Sequence, residues 1–416
     1  MNRFDINDHN HNLKFNLAHE FFWGFGVAFH TLYALVPLFL RKLGAPNYII
    51  VSTTGIFVIM IALPTLFSAS IGRNITNIKK AVLIVHCSIL LVTFSMGFTF
   101  SILDPSLVFR AWQIYFIYFI LYALSIGIIV PIWTEFLHQG TLRSYRGNFL
   151  GLGFAFNSVG SFLGGISLSY LLSLNIEFPR NFGIGFFILF LSLTVGTILF
   201  FPYRLKPARK NFRHKSIKQF LFEIKKIILH QKNFRKYIIS RGFYCACFPG
   251  MGLYAIHCQN QFDFNINETG IFTIITVTFS AISSYAAGKI GDSYNNKYSM
   301  LLAYIGHLAA AIIAIYASSM IGVYAIFIAI GIGQGAFMPS AMNLIYDFSS
   351  GNDAKIYIAL VDSLLAPFCL FYIILIGVLI HNGLFILSLK IIVFSILISI
   401  ILMLFTVHIP KNDKIF

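Results

Sequence analysis

The stretch SSYAAGKIGDSYNNK, Ser283 to Lys297, interrupts a chain that is otherwise very apolar. Hydrophobic residues make up 58% of the 416 residues and charged residues only 11%, with a mean hydropathy of +0.80. Small residues, one acid and two bases (Lys289, Asp292 and Lys297) are grouped here between two long apolar runs. Runs of that length are what a bilayer requires of a spanning helix, about 20 residues at 1.5 Å each. The stretch therefore reads as the polar joint between two membrane spans.

Working outward from it, the same pattern repeats along the whole chain. Twelve spans are predicted, near 18–40, 47–71, 81–103, 109–136, 148–173, 182–202, 238–261, 267–290, 299–318, 321–346, 356–380 and 383–408. The expected fold is an all-α membrane protein of twelve transmembrane helices in two six-helix, pseudo-symmetric bundles. Residues 1–17 read as an N-terminal tail and 18–202 as the first bundle. Residues 203–236 read as a basic linker, 237–408 as the second bundle and 409–416 as a short tail. The polar start MNRFDINDHNHNLKF has no signal-peptide profile.

Net charge is +16, and its distribution sets the topology. With both termini on one side, that side carries 24 of the 30 lysines and arginines. The positive-inside rule makes it the cytoplasm. The basic excess is thus a topology signal, and no soluble basic domain is available to bind nucleic acid. The reading is a multi-pass protein of the cell membrane with both termini inside, expected as a monomer.

Within the linker, Ile217, Phe220, Leu221, Ile224, Ile227 and Ile228 recur at helical spacing among Lys215, Lys218, Lys225 and Lys226. Such a basic amphipathic helix suits an anionic inner leaflet. Packing on the bundle as a solvated linker helix is the other reading, and both stand.

The two halves also echo each other. Glu135 precedes Arg143 by eight residues, and Asp347 precedes Lys355 by eight, at an offset of 212. SASIGRNITNIKK aligns with GKIGDSYNNK at an offset of 220. GSFLGG and GIGQGAF carry the small-residue spacing that lets helices approach closely. Two six-span halves with matching features imply a parallel structural repeat.

On these features the chain resembles the major facilitator superfamily of secondary transporters. That superfamily carries G-x-x-x-D-[RK]-x-G-[RK]-[RK] after span 2, with a weaker copy after span 8. Gly288, Asp292 and Lys297 match the copy after span 8, whereas Ser293 and Asn295 depart from it. After span 2, Ser68 replaces the glycine and Gly72 stands where the acid belongs. PIWTEF followed by RSYRGNFLGLG, with Glu135, Arg143 and Arg146, also looks like the family's acid, paired bases and glycine-rich fifth span. The resemblance implies transport of a small organic solute by alternating access. It also implies spans 3, 6, 9 and 12 outside the central path. Gly288 and Asp292 are then a gating joint: the glycine permits close packing, and the acid accepts hydrogen bonds from a helix N-terminus in one conformation only.

Other chemistries find little support. GxxxxGK[ST], HExxH and GxSxG are all absent from the sequence. An intramembrane enzyme using His30, His86 or His307 is the remaining enzymatic reading, although single histidines in spans are usually packing residues. A transporter-like receptor that does not transport is a further alternative. Cys245 and His257 are twelve residues apart, roughly 18 Å along a helix, which disfavours a shared metal. Cys87, Cys245, Cys247, Cys258 and Cys369 read as buried, inert thiols. No cofactor is expected.

Ionisable residues within spans are costly and are functional candidates by default. Glu20 and Arg241 sit near the cytoplasmic ends of spans 1 and 7 and are expected to gate, along with Glu135, Arg143, Arg146, Gly288, Asp292, Asp347 and Lys355. Asp362, six residues into span 11, is the candidate proton carrier. Lys390 is expected to snorkel to the outer interface. The polar mid-span side chains His30, Tyr33, Tyr118, Tyr122, Asn157, Tyr254 and Gln334 are the candidate substrate contacts. They are neutral and aromatic, which favours sugars, nucleosides, neutral amino acids or amphipathic organics.

Overall fold

The computed structural model describes residues 4–32, 35–72, 74–104, 111–206, 217–262, 266–349 and 354–409. Every long element among them is an α-helix: α1 (Ile6–Val27), α2 (Leu35–Lys42), α3 (Asn47–Gly72), α4 (Ile78–Ile102), α5 (Ala111–Gln139), α6 (Arg146–Ser173), α7 (Arg180–Ile198), α8 (Ile217–His230), α9 (Lys232–Tyr244), α10 (Cys247–Phe262), α11 (Ile266–Ser293), α12 (Asn296–Tyr316), α13 (Met320–Ser349), α14 (Ala354–His381) and α15 (Phe385–Phe405). Nine helical stretches among the described residues are long and apolar enough to cross a membrane. An isolated strand would leave its backbone unsatisfied in hydrocarbon, so an apolar chain of this kind resolves into helices.

Two spans are interrupted. The first is divided between α1, the 3-10 turn Ala28–His30 and α2. The seventh is divided between α9 and α10, with Cys245 and Ala246 between them. Pro64, Pro131, Pro339 and Pro367 lie inside helices that continue past them.

The chain forms two compact units. One comprises residues 1–141 and 156–213, the other 142–155 and 214–416. The helix α6 therefore starts in the second unit and continues into the first.

In the first unit the core is largely aromatic. Phe39 stacks on Phe182 at 4.5 Å and meets Tyr115 edge-on at 4.7 Å. Phe29, Phe100, Phe119 and Phe186 complete it, all fully buried. The helix α1 begins twelve residues before the expected span, because Asp5 and Asp8 form a capping box at its start. Residues 6–17, expected as a tail, are thus helical. Asn12 lies buried within this helix and bonds the Gly140 and Arg204 carbonyls at 2.8 and 2.6 Å, while its Oδ1 accepts the Arg204 N–H at 2.8 Å. Polar side chains that look like a solvated tail in the sequence instead hold the 203–206 segment against α1.

In the second unit α13 packs along α11 and α12. The GIGQGAF reading holds: a Cβ on Gly335 would collide with the Ser280 carbonyl oxygen of α11. Ser283 and Ser284 of α11 donate to the Ile332 and Gly335 carbonyls of α13, both at 2.7 Å. The linker helix is α8. Phe220 is buried, whereas Leu221, Phe222 and Leu229 are exposed beside Lys218, Lys225 and Lys226. Leu221 was expected on the same face as Phe220 and is not.

Candidate functional site

The opening stretch becomes a built contact in the second unit. The Asp292 carboxylate accepts the backbone N–H groups of Gly147 at 2.8 Å and Asn148 at 2.6 Å. These N–H groups lie in the first turn of α6, where they have no carbonyl partner within the helix and carry partial positive charge. Burial pushes the Asp292 carboxyl above the ordinary carboxylate range, opposed by those two N–H groups and by the charges of Lys289 and Arg146. Backbone proximity is what makes the contact possible. A Cβ on Gly147 would stand 2.5 Å from both Asp292 Oδ1 and the Gly288 carbonyl oxygen. A Cβ on Gly288 would overlap the Gly147 carbonyl.

The Arg146 charge, which reaches Asp292, links this clamp to Asp347. The buried Arg146 places its guanidinium 4.6 Å from the centre of the Tyr346 ring. The charges of Arg146 and the exposed Arg143 both reach Asp347. Asp347 Oδ2 accepts Asn296 Nδ2 at 2.6 Å. Lys355 is buried at the start of α14. Asn296, which closes this cluster, was not singled out from the sequence. Its only signal was its place in the same polar stretch as Asp292. Glu135 of the first unit accepts Gln139 Nε2 at 2.8 Å, one turn along α5.

A second polar centre lies in the first unit. Glu20 is 4% exposed, and its Oε2 accepts Asn157 Nδ2 at 3.0 Å. Two residues expected in different roles are therefore partners. The crossing of α1 and α6 is held tight by glycine, since a Cβ on Gly24 would collide with the Asn157 carbonyl and one on Gly160 with that of Phe21. Among the described residues Glu20 has no ion pair.

The third centre is in the second unit. Arg241 is 8% exposed, donates from Nη1 to the Tyr237 hydroxyl at 3.2 Å and lies 4.7 Å over the Phe337 ring. Its Nε has no hydrogen-bond partner among the described residues. Its charge reaches Asp362, a half-buried residue of α14. Glu20 belongs to the first unit and Arg241 to the second.

The expected substrate contacts divide. His30 and Tyr122 come together with ring centres 4.4 Å apart, and His30 Nε2 meets the Tyr115 hydroxyl at 3.1 Å. They belong to the buried aromatic core, and Tyr115 is the partner the sequence reading missed. Tyr118 instead bonds Thr99 of α4 at 2.8 Å. Gln334 donates to Met251 Sδ at 2.9 Å. Tyr254 is fully buried, with its hydroxyl unpartnered among the described residues. Tyr33 lies outside the described residues.

The histidines weighed as catalytic are packing groups. His86 Nδ1 meets the Val82 carbonyl at 2.6 Å, and His307 Nδ1 meets the Tyr244 hydroxyl at 2.7 Å. Among the described residues no three His, Cys, Asp or Glu side chains cluster in a way that could hold a metal. Lys390 is exposed on α15.

Comparison with known proteins follows the same line. Residues 112–364 and 251–415 match the sequence profile of the Major Facilitator Superfamily. The human organic anion transporter MFSD10 (TETRAN) superposes with a TM-score of 0.70 at 10% identity, covering 95% of this chain and 99% of that one. The E. coli fucose:proton symporter FucP superposes with a TM-score of 0.72 at 12% identity, covering 94% and 98%. The proton:xylose symporter XylE superposes with a TM-score of 0.71 at 12% identity, covering 97% of each. At these identities the likeness is one of fold. No curated protein matches by sequence.

Proposed function

Because the chain belongs to the Major Facilitator Superfamily and is a multi-pass membrane protein that transports a solute rather than an enzyme, we propose that it carries a small organic solute by alternating access, with proton coupling. The observation that carries the mechanism is the Asp292 clamp on the start of α6. A carboxylate on two helix-terminal N–H groups is strong enough to hold one conformation and exposed enough at the helix end to be released. Release frees residues 142–155 from α11, and the helix they begin runs on into the first unit. Gating roles for Arg143, Arg146 and Asp347 are supported by the charge contacts that join them to this clamp, and Lys355 is proposed as a further gating residue.

Glu20 and Asp362 are the proposed proton sites. A carboxylate buried in an apolar bundle is costly when charged and unpaired, so proton uptake accompanies burial. Asp362 stands within reach of the Arg241 charge, and Glu20 accepts a hydrogen bond from the neutral Asn157 amide. Two of the structural neighbours are described as proton symporters, which is compatible with this reading. Their solutes differ from each other and from that of the organic anion transporter, so the fold leaves the solute open. Tyr254, Gln334 and Arg241, all of the second unit, are the proposed polar contacts of the solute. The termini face the cytoplasm in this proposal, and α8 lies against the anionic inner leaflet through Leu221, Phe222 and Leu229, flanked by its lysines.

The test is a thermal-shift screen of the purified protein against a metabolite library, since a binder stabilises with the logarithm of its concentration over Kd. A binder is then loaded into proteoliposomes. Uptake that accelerates under an imposed pH gradient, and loses that acceleration in Asp362→Asn or Glu20→Gln, supports the proposal. Binding without transport in the reconstituted wild type would favour the receptor reading.

A further inference from the structure

The interruption of the seventh span brings one of its thiols, Cys245, against a second thiol, Cys369, on α14. Cys245 closes α9, and its N–H points at the Arg241, Gly242 and Phe243 carbonyls at once. Cys369 lies on α14, two residues beyond Pro367. The two sulfurs are 3.0 Å apart, and both residues are buried. The helices are pressed together here: a Cβ on Gly242 would stand 2.8 Å from the Phe368 ring.

This geometry suits a disulfide. An S–S bond is about 2.05 Å long, so the sulfurs need to close by only about 1 Å. Both backbones can yield that distance. Cys245 sits where the α9 ladder ends, and Pro367 removes one hydrogen bond from the α14 ladder just before Cys369. The neighbouring Cys247 begins α10 on the other side of the interruption, and its thiol is engaged with the Tyr244 hydroxyl.

We propose that Cys245 and Cys369 form a peroxide-sensitive dithiol, whose oxidation ties the α9–α10 interruption to α14. The oxidant is hydrogen peroxide or an organic hydroperoxide, small and neutral enough to reach a buried site. One sulfur attacks the peroxide: an S–O bond forms, the O–O bond breaks, and water (or the alcohol) leaves with the thiol proton. The second sulfur then attacks the sulfenic sulfur: the S–S bond forms, the S–O bond breaks, and a second water leaves. Two thiols are oxidised and one peroxide is reduced. Reduction by a dithiol reverses the step.

The test uses the full chain in detergent, exposed to hydrogen peroxide and then alkylated. Peptide mass spectrometry should find Cys245 joined to Cys369, with the intact mass lowered by about 2 Da before alkylation and restored by dithiothreitol. Cys247→Ser should form the same link, and Cys245→Ser and Cys369→Ser should not. Amide exchange across residues 242–250 should slow in the oxidised form. Recovery of Cys245 and Cys369 as alkylated thiols after exposure that oxidises the exposed Cys87 overturns the proposal. So does a link made through Cys247, or a link that leaves exchange unchanged. Because the readout is mass and exchange, it is independent of whether any solute is transported.

Discussion

Asn148 donates its backbone N–H to Asp292 at 2.6 Å across 144 residues of sequence, and that bond gives the polar stretch of α11 its purpose. Its charge and its two oxygens both matter. Hydrogen bonds to a charged group contribute roughly 1.5–3 kcal/mol each. Asp292→Asn keeps one acceptor and loses the charge, which should open the clamp by about tenfold in population. A cysteine at position 148 should then react faster with a membrane-impermeant maleimide, while the purified variant remains monodisperse. Unchanged reactivity in a well-folded variant would contradict the clamp.

Gly288→Ala should act as the same lesion by steric means. The new methyl overlaps the Gly147 carbonyl, and such overpacking costs about 1–3 kcal/mol. Gly377→Ala meets nothing within 4 Å and serves as the matched control. The expected outcome is raised labelling at position 148 for Gly288→Ala and wild-type labelling for Gly377→Ala.

Glu20 and Asn157 should behave as an interacting pair in thermal unfolding. Asn157→Ala leaves a buried carboxyl without its partner, a loss of roughly 1–3 kcal/mol. Adding Glu20→Gln to it removes the ionisable group and should recover part of that loss. A double-mutant cycle should give a coupling of about 0.5–3 kcal/mol. Additive losses would mean that the two side chains act independently.

Topology is checked by reagent access in intact cells. Cysteines replacing Lys218 and Asn295 should be reached only after the membrane is opened, and one replacing Asn175 should be labelled from outside. Labelling of position 295 in sealed cells would invert or break the twelve-span arrangement.

The lengths of the apolar runs and their number were legible in the sequence, because a bilayer acts on every span separately. Ten spans therefore have a single helix close to their predicted bounds, and Gly160 and Gly164 of GSFLGG and the glycines of GIGQGAF lie where helix backbones meet. The polar stretch at 283–297 likewise announced a joint. Partner choice was not legible. Nothing local in Asn157 points to Glu20, nor in Asn296 to Asp347, and His30 looks the same in sequence whether it faces a solute or packs on Tyr115 and Tyr122. Residues 6–17 look like a tail because their polar groups find their acceptors in the 140 and 204 carbonyls, far along the chain. Burial in lipid is a property of one segment and its composition. A hydrogen bond between segments depends on where two helices cross and how each is rotated, which only the packed tertiary structure decides.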